Sequence, residues 1–132
     1  MADHRSARHL LRLRTEPRHG SVRLFASGEV ELGTAGYLEE VLAELQRDRE
    51  TVIVDLGDLT FMGACGIHIF TDAATRARNG DGSFTIENCS RPARRVFEVT
   101  ASGSLLHGQP PAPYRSPATA APSGGRSLTG SR

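Results

Sequence analysis

The sequence predicts an α/β fold, a mixed sheet of four to five strands with helices packed on it. Two runs near the start alternate at period two: Leu11 and Leu13 against Arg12 and Arg14, then, past the turn-like stretch Pro17 to Gly20, Val22 and Leu24. That alternation reads as an antiparallel hairpin with one buried face. Further on, Val52, Ile53 and Val54 form a nearly continuous β-branched run ending in Asp55 and Leu56, as suits a strand central in a sheet. Apolar stripes at helical spacing lie on either side of that run.

Each element follows in order. Thr34 is placed to cap a helix whose Leu38, Val41, Leu42 and Leu45 fall at i, i+3, i+4 and i+7, with Glu39, Glu40, Glu44 and Arg47 turned to water. The strand over 52–56 comes next. After a loop, Ile67, Phe70, Ala74 and Ala77 give a second helical stripe, ended by Asn79-Gly80. Phe84 and Ile86 mark a strand over 83–87. Strand, helix and strand in succession form a crossover unit, so strands 52–56 and 83–87 are expected to be parallel. Ser90 then opens a last helix with Pro92 in its first turn and Val96, Phe97 and Val99 available for burial.

The chain of 132 residues has room for one domain and no large cleft. The division expected is a flexible segment over 1–9, a domain over 10–106, and a disordered tail over 107–132, dominated by Pro, Ser, Gly and Ala. Sixteen basic residues face fifteen acidic ones, for a net charge of +1, so no global field favours nucleic acid or an anionic membrane. All the basic residues are Arg, which fits a GC-rich bacterial genome. Met1 to Arg14 lacks the apolar stretch of a secretory signal, and the uncharged run Leu59 to Thr71 is too short to span a bilayer. A cytoplasmic location without membrane insertion is expected. In that reducing setting Cys65 and Cys89 should be free thiols.

Three blocks carry a resemblance. Val52 through Gly66 reads Val-Ile-Val-Asp-Leu-Gly-Asp-Leu-Thr-Phe-Met-Gly-Ala-Cys-Gly, a strand, a short loop with Phe and a bulky apolar residue, and a helix start. Upstream lies Gly28-Glu29-Val30-Glu31-Leu32-Gly33-Thr34-Ala35, and downstream Asn88-Cys89-Ser90-Arg91-Pro92-Ala93-Arg94-Arg95-Val96-Phe97. In this order they resemble STAS domains of the anti-sigma factor antagonist type. The resemblance implies a STAS-like mixed sheet and a switch protein that binds an anti-sigma factor with a kinase-like fold, regulating sigma-dependent transcription. It implies no enzyme activity, no cofactor and no direct contact with nucleic acid.

The family's phosphoacceptor hydroxyl falls on Cys65, and the motif Asp and Ser preceding it fall on Gly63 and Ala64. Serine phosphorylation at this position is therefore ruled out. In the family, phosphate brings about −1.5 to −2 charges to a helix start and repels a partner surface shaped for a neutral contact. The resemblance thus implies a partner-binding surface of Glu31, Thr60, Met62, Gly63, Ala64, Cys65 and Gly66. Thr60 reads as a turn-stabilising hydroxyl ahead of a phosphosite, and Glu31 is equally readable as a plain solvated carboxylate.

Cys65 has other readings. A thiol at a helix start is expected to have a lowered pKa, so oxidation of Cys65, or pairing with Cys89, would make a redox switch. Cys65 and His68 stand three apart on a helix, which invites a thiol-nucleophile reading, though no orienting Asn or Asp accompanies them. No metal-ligand spacing or phosphate-binding glycine loop is present. The main rival to the antagonist reading is a STAS accessory subunit of a lipid-transport ABC system, using the same surface.

Overall fold

In the computed structural model, residues 4–48, 51–80, 82–100 and 105 are described. The alternating N-terminal runs form β1 (Leu11–Arg18) and β2 (Ser21–Val30), paired antiparallel. Their turn is tighter than the stretch Pro17 to Gly20 suggests. His19 and Gly20 alone make it, Gly20 taking φ 76, while Pro17 stays in β1 opposite Val22. A proline is tolerated there because β1 is an edge strand.

From β2 the chain enters α2 (Leu32–Asp48), following a short α1 (Ala7–Leu10) that precedes the hairpin, and returns as β3 (Thr51–Met62). A second crossover, α3 (Cys65–Asn79), leads to β4 (Ser83–Glu87), and α4 (Arg91–Val99) closes the described fold. The sheet has four strands in the order β1-β2-β3-β4, with β2, β3 and β4 mutually parallel. The predicted parallel pairing of the last two strands is therefore observed.

Alternate residues of the strands point under the helices. Val22, Leu24 and Ala26 of β2, Val52, Val54 and Leu56 of β3, and Ile86 of β4 share one core with Leu38 and Leu42 of α2, Ile69, Phe70 and Ala73 of α3, and Ala93 and Phe97 of α4. Phe70 stands at its centre, its ring 6.2 Å from those of both Phe84 and Phe97. Burying a side chain of that size contributes about 2–3 kcal/mol. The opposite sheet face carries Arg23, Phe25, Ile53, Asp55, Thr85 and Glu87, all partly exposed.

Several boundaries differ from the sequence reading. β3 does not stop at Leu56 but continues through Met62, following β2 across register shifts at Phe25/Ser27 and Gly28/Glu29. Gly28 permits this bend, since it takes φ 105 and a Cβ there would run into the Leu10 carbonyl. The buried stripe of α3 is Gly66, Ile69, Phe70, Ala73 and Ala77, so Ile67 and Ala74 lie at its margin. On α4, Ala93 and Phe97 are buried while Val99 is 77% exposed, and Ser90 caps the helix by accepting from the Ala93 amide. Residues 4–9, within the segment expected to be flexible, lie along α2: Ala7 is buried, the Arg8 guanidinium sits 5.2 Å from the Tyr37 ring centre, and the His4 ring lies 5.5 Å from it. The expected tail over 107–132 lies outside the described residues. Among the described residues no helix is long and apolar enough to cross a membrane.

Candidate functional site

Parallel neighbours deliver their C-terminal ends to the same edge of a sheet, and the helices that follow both begin there. β2 ends at Val30 and β3 at Met62, and the Gly63 amide ties the two ends by donating to the Val30 carbonyl at 2.7 Å. The starts of α2 and α3 are thereby set side by side. Each presents unsatisfied amides and the positive end of a helix dipole.

The two starts are finished differently. Glu31 precedes α2, and its Oε1 accepts from the Gly33 amide at 2.7 Å. Thr34 Oγ1 in turn accepts from the Glu31 amide at 3.0 Å and donates to the Glu29 carbonyl at 2.9 Å. This is a reciprocal capping box with the carboxylate at the cap and the hydroxyl three residues later. Thr34, expected as the cap, is a fully buried member of the first turn instead. Glu31, expected as a partner contact, is half-buried and holds that turn, with Oε1 engaged.

At α3 no side chain caps the helix. Ala64 cannot accept a hydrogen bond, and the first turn is held by backbone alone, Gly66 N donating to Gly63 O and Ile67 N to Ala64 O, both at 3.0 Å. Gly66 is buried because α3 starts in contact with the end of β3: a Cβ there would sit 2.8 Å from Met62 Cγ. Met62 is itself 2% exposed. These two residues therefore leave the list of surface contacts, since their atoms are used in joining α3 to β3.

Gly63 and Cys65 are half-exposed, and Thr60 and Ala64 are exposed. Thr60 lies within β3 rather than in a loop, and its hydroxyl donates to the Gly28 carbonyl at 3.1 Å across the irregular pairing. Two residues missed in the sequence complete the surface, Leu32 at 84% exposure and Phe61 at 49%. Leu32 carried one signal, an apolar residue at a helix start outside the stripe set by Leu38 and Leu42.

Burial raises the Cys65 thiol pKa, and the Glu31 and Glu39 carboxylates add to it, outweighing the amides of Cys65 and Gly66 that pull it down. The direction is opposite to the lowering expected at a helix start, because burial and the neighbouring carboxylates outweigh the amides. Cys89, in the link between β4 and α4, is pushed up to about 11 by burial. Both cysteines are free, and His68 is exposed and not hydrogen-bonded to Cys65. Among the described residues no three His, Cys, Asp or Glu side chains group to hold a metal.

Comparison with known proteins agrees with the fold. A family model described as STAS domain matches residues 12–110. The Anti-sigma-B factor antagonist of Staphylococcus aureus (strain NCTC 8325 / PS 47) is 28% identical over 81 residues, 61% of this chain and 75% of that protein. An anti-sigma factor antagonist from Mycobacterium paratuberculosis has a similar structure, with TM-score 0.67 and 20% identity over 74% of this chain and 83% of that one. The unphosphorylated form of the anti-sigma factor antagonist SpoIIAA gives TM-score 0.63 and 18% identity over 71% and 84%.

Proposed function

The chain belongs to the STAS domain family, and from that premise we propose that it is an anti-sigma factor antagonist. It binds an anti-sigma factor with a kinase-like fold in the cytoplasm and so releases sigma-dependent transcription, acting by docking and not by catalysis. The docking surface is the paired helix start, with Leu32 and Phe61 as apolar anchors around Gly63, Ala64 and Cys65, and Glu31 and Thr60 at its rim.

The observation that carries this reading is the uncapped start of α3, with a half-exposed Cys65, tied through Gly63 and Val30 to the start of α2, whose Leu32 is 84% exposed. Large exposed apolar side chains bordering free helix amides suit a partner more than they suit water. With the thiol pKa raised, Cys65 stays uncharged near neutral pH. The family's charge switch is therefore absent at this position, and docking is constitutive with respect to a Ser/Thr kinase acting there.

Calorimetric titration against anti-sigma factors from the same genome tests the reading. The wild-type chain is expected to bind and to gain no phosphate at position 65 with ATP present, whereas Cys65→Glu weakens binding by roughly 100-fold through charge placed in a desolvated contact. Leu32→Asp is expected to act in the same direction. Unchanged affinity in both variants, or capture of a transporter ATPase through the same surface, sinks the antagonist reading.

A further inference from the structure

The helices of the described fold share one core on one side of the sheet, and the charges on the other side are sorted by strand. On β1, the residues opposite Ser21, Arg23, Phe25 and Ser27 of β2 are Arg18, Glu16, Arg14 and Arg12, three cations against one anion. On β3 and β4 the same face carries Asp55, Asp58 and Glu87. Those three carboxylates have one cation among them, Arg23, which reaches Glu87 at 2.8 Å and Asp55 at 3.5 Å. Between the two charged borders lie Phe25 and Ile53, with the Arg14 guanidinium 4.1 Å from the Phe25 ring centre.

A face that is basic at one edge, apolar in the middle and acidic at the other edge is complementary to itself under one kind of two-fold rotation. An axis lying between two such faces and parallel to the strands sets β1 of one copy over β4 of the other, and β2 over β3. An axis perpendicular to the strands sets β1 over β1 and is rejected by like charges. The geometry points to a symmetric homodimer built face to face on the open side of the sheet, with Arg14 of each copy over Glu87 of its mate, Arg12 diagonal to Asp58, and Phe25 and Ile53 of both copies gathered about the axis.

The size of the face sets the strength. Four strands about 4.8 Å apart and roughly eight residues long cover about 500 Å² per copy, so the dimer buries about 1,000 Å² in total. That is the lower limit for a specific interface, so the association is weak, reversible and sensitive to salt. It leaves the starts of α2 and α3 at the sheet edge outside the contact, so dimer formation and partner docking are separable.

Sedimentation velocity on the full chain, from micromolar to near-millimolar concentration and at low and high salt, tests the dimer. The wild type is expected to self-associate, with added salt weakening it. Arg14→Glu and Glu87→Arg, each alone, place like charges opposite one another at both ends and are expected to weaken association at least about tenfold. Mixing the two variants restores opposite charges at both ends, so the mixture is expected to associate as the wild type does. A misfolded variant is not rescued by mixing, which separates a folding defect from an interface defect. A wild type that stays monomeric throughout, or a mixture no tighter than its components, overturns the proposal. So does a concentration-independent shielding of this face from hydrogen exchange, which assigns it to residues 106–132 of the same chain.

Discussion

The starts of α2 and α3 occupy equivalent places in two successive crossover units, yet one is closed by side chains and the other is not. At α2 the Glu31 carboxylate and Thr34 hydroxyl satisfy the first-turn amides and lock the exit from β2. At α3 the corresponding positions are Ala64, with nothing to offer, and Gly63, whose amide goes back to Val30. The difference separates anchoring from presentation. A start that completes its own hydrogen bonds is a structural joint, and a start that leaves its cap unfilled keeps a polar, positively biased surface for something else.

The largest expected stability effect lies on the closed side. Thr34→Val keeps the shape but removes the acceptor for the Glu31 amide and the donor to the Glu29 carbonyl at a fully buried position. Urea denaturation is expected to show a loss of about 2–3 kcal/mol. A loss below about 0.5 kcal/mol breaks the contrast, because the capping box then contributes no more than a bare start.

On the open side the effect is expected to reverse in sign. Ala64 is the cap position of α3 and is exposed, so Ala64→Asp fits and supplies the missing cap. A gain of about 0.5–1 kcal/mol is expected in the same denaturation experiment, together with weaker partner binding. A stabilised variant that binds as tightly as the wild type contradicts the idea that the unfilled cap is kept for docking.

The smallest effects concern the thiols. With its pKa near 11 against an ordinary 9.0, Cys89 carries about 100-fold less thiolate than a free cysteine at neutral pH and should be alkylated correspondingly slowly. Cys65 is shifted in the same direction and is expected to react more slowly than a model thiol, not faster. The raised value means the folded state favours the protonated thiol. The stabilising contribution of Cys89 is therefore complete below pH 9 and is lost as pH rises toward 11. Cys89→Ala is expected to flatten that alkaline limb of the stability profile.

Much of the fold was legible because periodicity reports burial directly. The hairpin, the α2 stripe, β4 and the Ser90 cap of α4 all follow from it. β3 runs on past Leu56, where the β-branched run ends, because the neighbouring strand bends with it through Gly28, and local signals do not reveal that. The stripe of α3 was misplaced by part of a turn because its apolar residues, Ile67, Ile69, Phe70, Ala73, Ala74 and Ala77, fill two overlapping arcs. Only packing on the sheet chooses between them. At the site, the family motif located the helix start, but the exposure of Leu32 and Phe61 and the burial of Met62 and Gly66 depend on how α3 rests against β3. The thiol pKa went the other way for the same reason, since helix position is visible in the sequence and desolvation is not.

The most direct measurement is hydrogen exchange of the chain with and without its anti-sigma factor. The account expects new protection over residues 31–34 and 60–66, where the two helix starts meet, and none along β4 or α4. Protection confined to α4, or to the C-terminal ends of α2 and α3, would place the partner on another surface and contradict it.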